Sequence, residues 1–130
     1  MLLVDAANVV GARPDGWWRD RAGATVRLLA RLAGAELTAP DGSRFTQVFA
    51  VVEGRARDVP APDGIRVVRA EGSGDDALAA SAEELAETRT PLLVVTADRG
   101  LRARRPAGAV VAGPGWLLGQ LDAAEGSGAT

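Results

Sequence analysis

Short runs of aliphatic and β-branched residues alternate along the chain with segments of helical periodicity, and this alternation limits the fold more than any other feature. Parallel strands need a long crossover to return to the same edge, and an intervening helix supplies it. The expected class is therefore α/β, a three-layer α/β/α sandwich around a mainly parallel central sheet of about five strands. The strands read as Leu2–Asp5, Thr46–Val52, Ile65–Arg69, Leu92–Thr96 and Ala109–Ala112.

A loop containing Gly11, Pro14 and Gly16 should follow the first strand. The first helix then runs from about Arg21 to Leu37, with Val26, Leu29, Ala30, Ala33 and Leu37 on one face. A second, from Asp75 to Glu87, packs through Leu78, Ala82, Leu85 and Ala86. A short helix covers Arg99–Arg104, and a last one runs from Trp116 to about Leu121. At 130 residues the chain suits one domain, placed at residues 1–122, and the small polar residues 123–130 read as a frayed tail.

Missing residue types narrow the chemistry. Histidine and cysteine are absent, which removes imidazole bases, thiolate nucleophiles, serine–histidine triads and the usual zinc sites. All 15 basic residues are arginine, so phosphate loops and receiver domains that depend on lysine are excluded too. A catalytic metal would need oxygen ligands, which suit Mg²⁺ or Mn²⁺. A net charge of −2 argues against a basic clamp over the whole surface. No apolar run nears the roughly 20 residues of a bilayer helix, so no membrane partner is expected. The opening Met1–Asp5 meets an acid before a signal segment could form, and with the missing cysteines this suggests a cytoplasmic protein.

In open parallel sheets, ligands bind beyond the carboxyl ends of the strands. Acids recur there: Asp5 ends the first strand, Glu53 follows the second, Asp75 and Asp76 the third, and Asp98 the fourth. Gathered carboxylates repel one another, and a cation relieves the repulsion, so the pattern suggests a metal site. Each acid also has a structural explanation. Asp75 and Asp76 suit the first turn of a helix, worth about 0.3–1 kcal/mol against its dipole. Asp98 could cap the next helix, and Glu53-Gly54 could be a solvated turn. Asn8 could bond a phosphate, a ligating carboxylate or its own backbone. Trp17 and Trp18 could stack on unpaired bases, or one of them could staple the loop onto the first helix. Arg13, Arg19 and Arg21 on one side, with Arg99, Arg102, Arg104 and Arg105 on the other, suit a phosphate chain or plain solvated faces.

Three segments carry a family resemblance. Val4-Asp5-Ala6-Ala7-Asn8-Val9-Val10-Gly11 resembles the opening Asp-x-x-Asn-x-x-Gly motif of the NYN domains, a group of PIN-like ribonucleases. Gly74-Asp75-Asp76-Ala77-Leu78 resembles their second acidic motif, and Val94-Val95-Thr96-Ala97-Asp98-Arg99 their third. Members often end the second strand with aspartate, where this chain has Glu53. The resemblance implies a PIN-like fold and a ribonuclease that hydrolyses RNA phosphodiester bonds with a metal-activated water. Asp5, Asp76 and Asp98 would be catalytic; Asp5, Asp75, Asp76 and Asp98 would hold Mg²⁺ or Mn²⁺. Asn8, Arg13, Trp17 and Arg99 would contact substrate, most naturally single-stranded RNA, and a homodimer would be in keeping with the group.

Other readings compete. Gly72-x-Gly74-x-x-Ala77 opens a helix after a strand, as in dinucleotide-binding folds, but Asp75 and Asp76 would then face a pyrophosphate with like charge. A nucleoside triphosphate pyrophosphohydrolase could use the same metal site. An inactive RNA- or protein-binding module could keep the pocket without the chemistry.

Overall fold

A computed structural model describes residues 1–13 and 16–128. Five parallel strands form one sheet: β1 (Leu2–Asp5), β2 (Val48–Val52), β3 (Ile65–Arg69), β4 (Leu93–Val95) and β5 (Val110–Ala112). Their order is β3-β2-β1-β4-β5. The helices are α1 (Ala6–Val10), α2 (Arg21–Gly34), α3 (Gly74–Glu87), α4 (Arg99–Arg104) and α5 (Pro114–Gly128). The three-layer α/β/α arrangement follows from strand alternation, which sends successive side chains to opposite faces. Leu2 and Val4 pack with Leu29, Leu32 and Leu117 on one face, while Leu3 packs with Leu78, Ala82 and Leu101 on the other.

This topology sets the place of the site. From β1 the chain moves outward through β2 to β3, then returns across the sheet through α3 to β4, on the other side of β1. The strand order therefore reverses between β1 and β4, and the crevice beyond their carboxyl ends is where such sheets bind ligands. Polar side chains start the helices there. Asp5 caps α1, Ser73 caps α3 and Asp98 caps α4. Asp20 caps α2, accepting the Gly23 N–H at 2.9 Å.

Several boundaries differ from the sequence reading. Asp5 caps a one-turn helix directly after β1, where only a loop was expected. The first helix ends at Gly34, and Leu37 is buried in the segment after it; a core position beyond the helix lengthened the apparent periodicity. Its buried stripe is Thr25, Leu28, Leu29 and Leu32, and Val26 is 40% exposed. Alanines at 30 and 33 fit either stripe in sequence, but the leucines fill the space against the sheet, so the helix is rotated toward them. The last helix continues through residues 123–128, expected to fray. Asp122 pairs with Arg13 at 2.6 Å, and Glu125 with Arg31 at 2.6 Å, which ties this polar extension to the rest of the fold. Pro14, placed in the first loop, lies outside the described residues, as do Ala129 and Thr130. No helix among the described residues is long and apolar enough to cross a membrane.

Leu29 is 1% exposed, so Leu29→Ala should cost about 2–5 kcal/mol in urea unfolding, whereas Val26→Ala should stay within about 0.5 kcal/mol. Equal losses at the two positions would contradict the observed orientation of α2.

Candidate active site

Asp5 is the anchor. It is 4% exposed at the carboxyl end of β1, with both oxygens engaged. Oδ2 accepts from Asn8 Nδ2 at 2.8 Å and from Thr96 Oγ1 at 3.0 Å, while Oδ1 accepts the Asn8 backbone N–H at 3.3 Å. Burial pushes its pKa up, the Asn8 and Thr96 hydrogen bonds oppose that rise, and the charges of Asp75 and Glu53 add to it. The carboxylate is held in one orientation in a place that disfavours its charge.

The hydrogen bonds continue across the switch point. Asn8 Oδ1 accepts the Ala97 N–H at 3.1 Å, and Thr96 Oγ1 accepts the Asp98 N–H at 3.1 Å. Arg102 donates to the Thr96 carbonyl at 3.3 Å, fixing the exit of β4 from the other side. Asp98 in turn accepts the Leu101 N–H at 2.9 Å, the first cause of its lowered pKa. Both amide ends of Asn8 are thus used within the protein. Expected to contact substrate, it instead joins the β1 and β4 ends.

Asp75 and Asp98 stand near enough for the charge of one to act on the other. Partial burial and then the Asp98 charge raise the Asp75 pKa; Glu53 and Asp76 add to it. The two shifts run in opposite directions, Asp75 upward and Asp98 downward. Glu53 closes the group at the end of β2, where Oε2 accepts the Gly74 N–H. Position 74 has room only for glycine while Glu53 holds this place, because a Cβ there would stand 2.3 Å from Oε2.

The other sequence candidates lie around this cluster. Asp76 is exposed and ion-paired to Arg104 at 3.3 Å, so of the adjacent acids it is Asp75 that stands near Asp98. Arg99 is exposed at the first position of α4. Arg13 faces Asp122 on α5 and stands with Arg31 rather than with the acids. Trp17 lines a recess of about 320 Å³ that also takes in Glu53. Thr96 was not singled out in the sequence although it lies within the third motif, and Arg102, read there as a phosphate contact or a solvated face, donates to the Thr96 carbonyl. The donor set is all oxygen, which fits Mg²⁺ or Mn²⁺ in ligand type, and Arg104 offsets part of its negative charge. Among the described residues, however, no three acids form a closed chelating group.

Two substitutions probe these contacts without metal. Thr96→Val keeps the shape but leaves Asp5 and the Asp98 N–H without their shared partner, so it should cost about 1–3 kcal/mol in denaturant unfolding. Asp75→Asn removes the repulsion against Asp98 and should raise the melting temperature in chelator by about 1–3 °C. Folding raises the Asp75 pKa, so the wild-type residue contributes most at low pH and loses that contribution as pH climbs from about 3.8 through the folded value. The advantage of asparagine should accordingly be absent in acid and grow toward neutral pH. A gain that shrinks with rising pH would contradict the repulsion.

The sequence matches no family model and no curated protein. Among solved structures the fold is similar to Rae1 (YacP) from Bacillus subtilis, with a TM-score of 0.72 and 21% identity over 96% of this chain and 75% of that one. A tryptophan-to-leucine variant of Rae1 matches with a TM-score of 0.65 and 22% identity, covering 95% and 75%. At this identity the likeness is one of fold: the chain has the α/β/α architecture of Rae1.

Proposed function

We propose that this protein is an Mg²⁺- or Mn²⁺-dependent phosphodiesterase that hydrolyses single-stranded RNA, of the NYN type among PIN-like ribonucleases. The observation that carries the reading is the convergence of Asp5, Glu53 and Asp98 at the ends of neighbouring strands, with Asp5 and Asp98 tied through Thr96 and Glu53 tied to the start of α3, at the point where the strand order reverses. An arrangement that costs stability and brings unlike segments together is expected of a site kept for chemistry.

Asp5, Asp75 and Asp98 would hold the cation, with Glu53 beside them; Asp76 stays at the rim on Arg104. When bound, the cation supplies charge stabilisation at phosphorus and a stronger water nucleophile at neutral pH. Everything else falls to the chain. Asn8 and Thr96 orient Asp5, and the Leu101 N–H orients Asp98. Arg99 offers a guanidinium fork to a phosphate oxygen from the first turn of α4. With no histidine present, proton transfer would fall to carboxylates and water.

Cleavage of single-stranded RNA should require Mn²⁺ or Mg²⁺ and stop on chelation. Asp5→Asn, Asp75→Asn and Asp98→Asn should each lower kcat/KM about 100-fold or more, and Asp76→Asn much less. Nucleoside triphosphates run in parallel should be poor substrates. Turnover that survives chelator and all three asparagine variants would place the chemistry elsewhere, and preferred triphosphate hydrolysis would make the protein a pyrophosphohydrolase.

A further inference from the structure

Two recesses lie end to end beside the acid cluster. The first, of about 320 Å³, has an apolar floor that includes Ala6, Val10 and Val52, a wall formed by Trp17, and Glu53 at its inner end. The second, of about 440 Å³, is bounded by Trp18, Arg19 and Asp20, whose carboxylate accepts the Gly23 N–H of α2. Arg21 and Arg55 line both, so they stand at the junction.

The aromatic rings there are already positioned. The Arg21 guanidinium lies 5.3 Å from the Trp17 ring centre, and Trp18 meets Trp17 edge to face at 6.1 Å. Trp17 is half-buried and Trp18 is 52% exposed. Among the described residues Arg21 and Arg55 have no ion pair, as is true of most arginines outside Arg13, Arg31, Arg44 and Arg104; what sets them apart is that both line both recesses. Two unpaired guanidinium groups between two aromatic-walled hollows, in a protein of net charge −2, call for an anion with a flat apolar group on each side. A dinucleotide unit of single-stranded nucleic acid has that form.

We infer that these recesses are the approach track for single-stranded RNA, with one base against Trp17, the next toward Trp18, and the phosphate between them held by Arg21 and Arg55. The inference takes its ligand from the phosphodiesterase reading. It adds that the strand reaches the acids from the Glu53 side, and that Arg21 and Arg55 are binding residues. Trp17 belongs to substrate selection, favouring unpaired bases because a paired base cannot leave its stack to enter the hollow.

The test uses the whole chain and a labelled oligouridylate of roughly eight nucleotides, a length within the usual range of single-strand sites. Binding is followed by anisotropy in chelator, so that no cleavage intervenes. Trp17→Leu should weaken binding about 5- to 150-fold. Arg55→Ala, on an exposed turn where folding is not at stake, should weaken it about 10-fold and reduce the salt slope by about 0.7. Arg44→Ala, on the loop before β2 and paired with Glu36, should bind as wild type does. With Mn²⁺ present, Arg55→Ala should raise KM and leave kcat nearly unchanged. If wild type cleaves RNA while Trp17→Leu and Arg55→Ala bind normally, the track is wrong and the acid-cluster reading stands. If those variants weaken binding but wild type never cleaves, the track stands and the hydrolase reading falls. No binding by wild type, or equal loss in Arg44→Ala, overturns the track.

Discussion

One hydrogen bond organises this molecule: Thr96 Oγ1 to Asp5 Oδ2, joining residues 91 positions apart where the two central strands end. Sheet pairing brings β1 and β4 side by side, but it does not determine how the chain leaves them. The threonine does, because the same hydroxyl that donates to Asp5 accepts the Asp98 N–H. Asn8 repeats the connection one turn away, through Asp5 on one side and the Ala97 N–H on the other. Removing either partner would let two acids at the heart of the cluster reorient separately.

The cluster is costly to keep. Asp5 lies in a place that favours its neutral form, and the Asp98 charge disfavours that of Asp75. The fold offsets this with capping interactions: the acids are not loose side chains, since Asp5 and Asp98 terminate helices and Glu53 accepts from the first residue of α3. Local helix stability and the proposed chemistry are thus served by the same oxygens. The structural explanation of these acids is seen in the capping contacts, and it leaves room for the proposed chemistry.

Much of this could be read from residue order. The alternation of strand and helix patterns led to the sheet, and acids following successive strands led to its carboxyl edge, because parallel strands all end on one side. What stayed hidden depended on rotation or on partners. Nothing in Gly-Asp-Asp tells which aspartate stands near Asp98 and which pairs with Arg104; helix phase decides it, and both remain exposed. Arg13 looked like a substrate contact because it neighbours the tryptophans, but Asp122, remote in sequence, pairs with it. The stripe of α2 was shifted because alanine is compatible with either face. The extent of α5 was misjudged because a polar tail resembles a free end until Arg31 meets Glu125.

The central position of β1 also bears on how the molecule assembles. Its first partner, β2, is synthesised some forty residues later, and its second, β4, about ninety later. In the open chain the carboxylates are well separated and hardly interact. Asp5, Glu53 and Asp75 meet through β1, β2 and α3, whereas Asp98 joins them only through β4, so its repulsion is met when β4 docks. Divalent ions present at that stage would favour completion of the sheet, making the proposed cofactor an aid to maturation as well as to turnover.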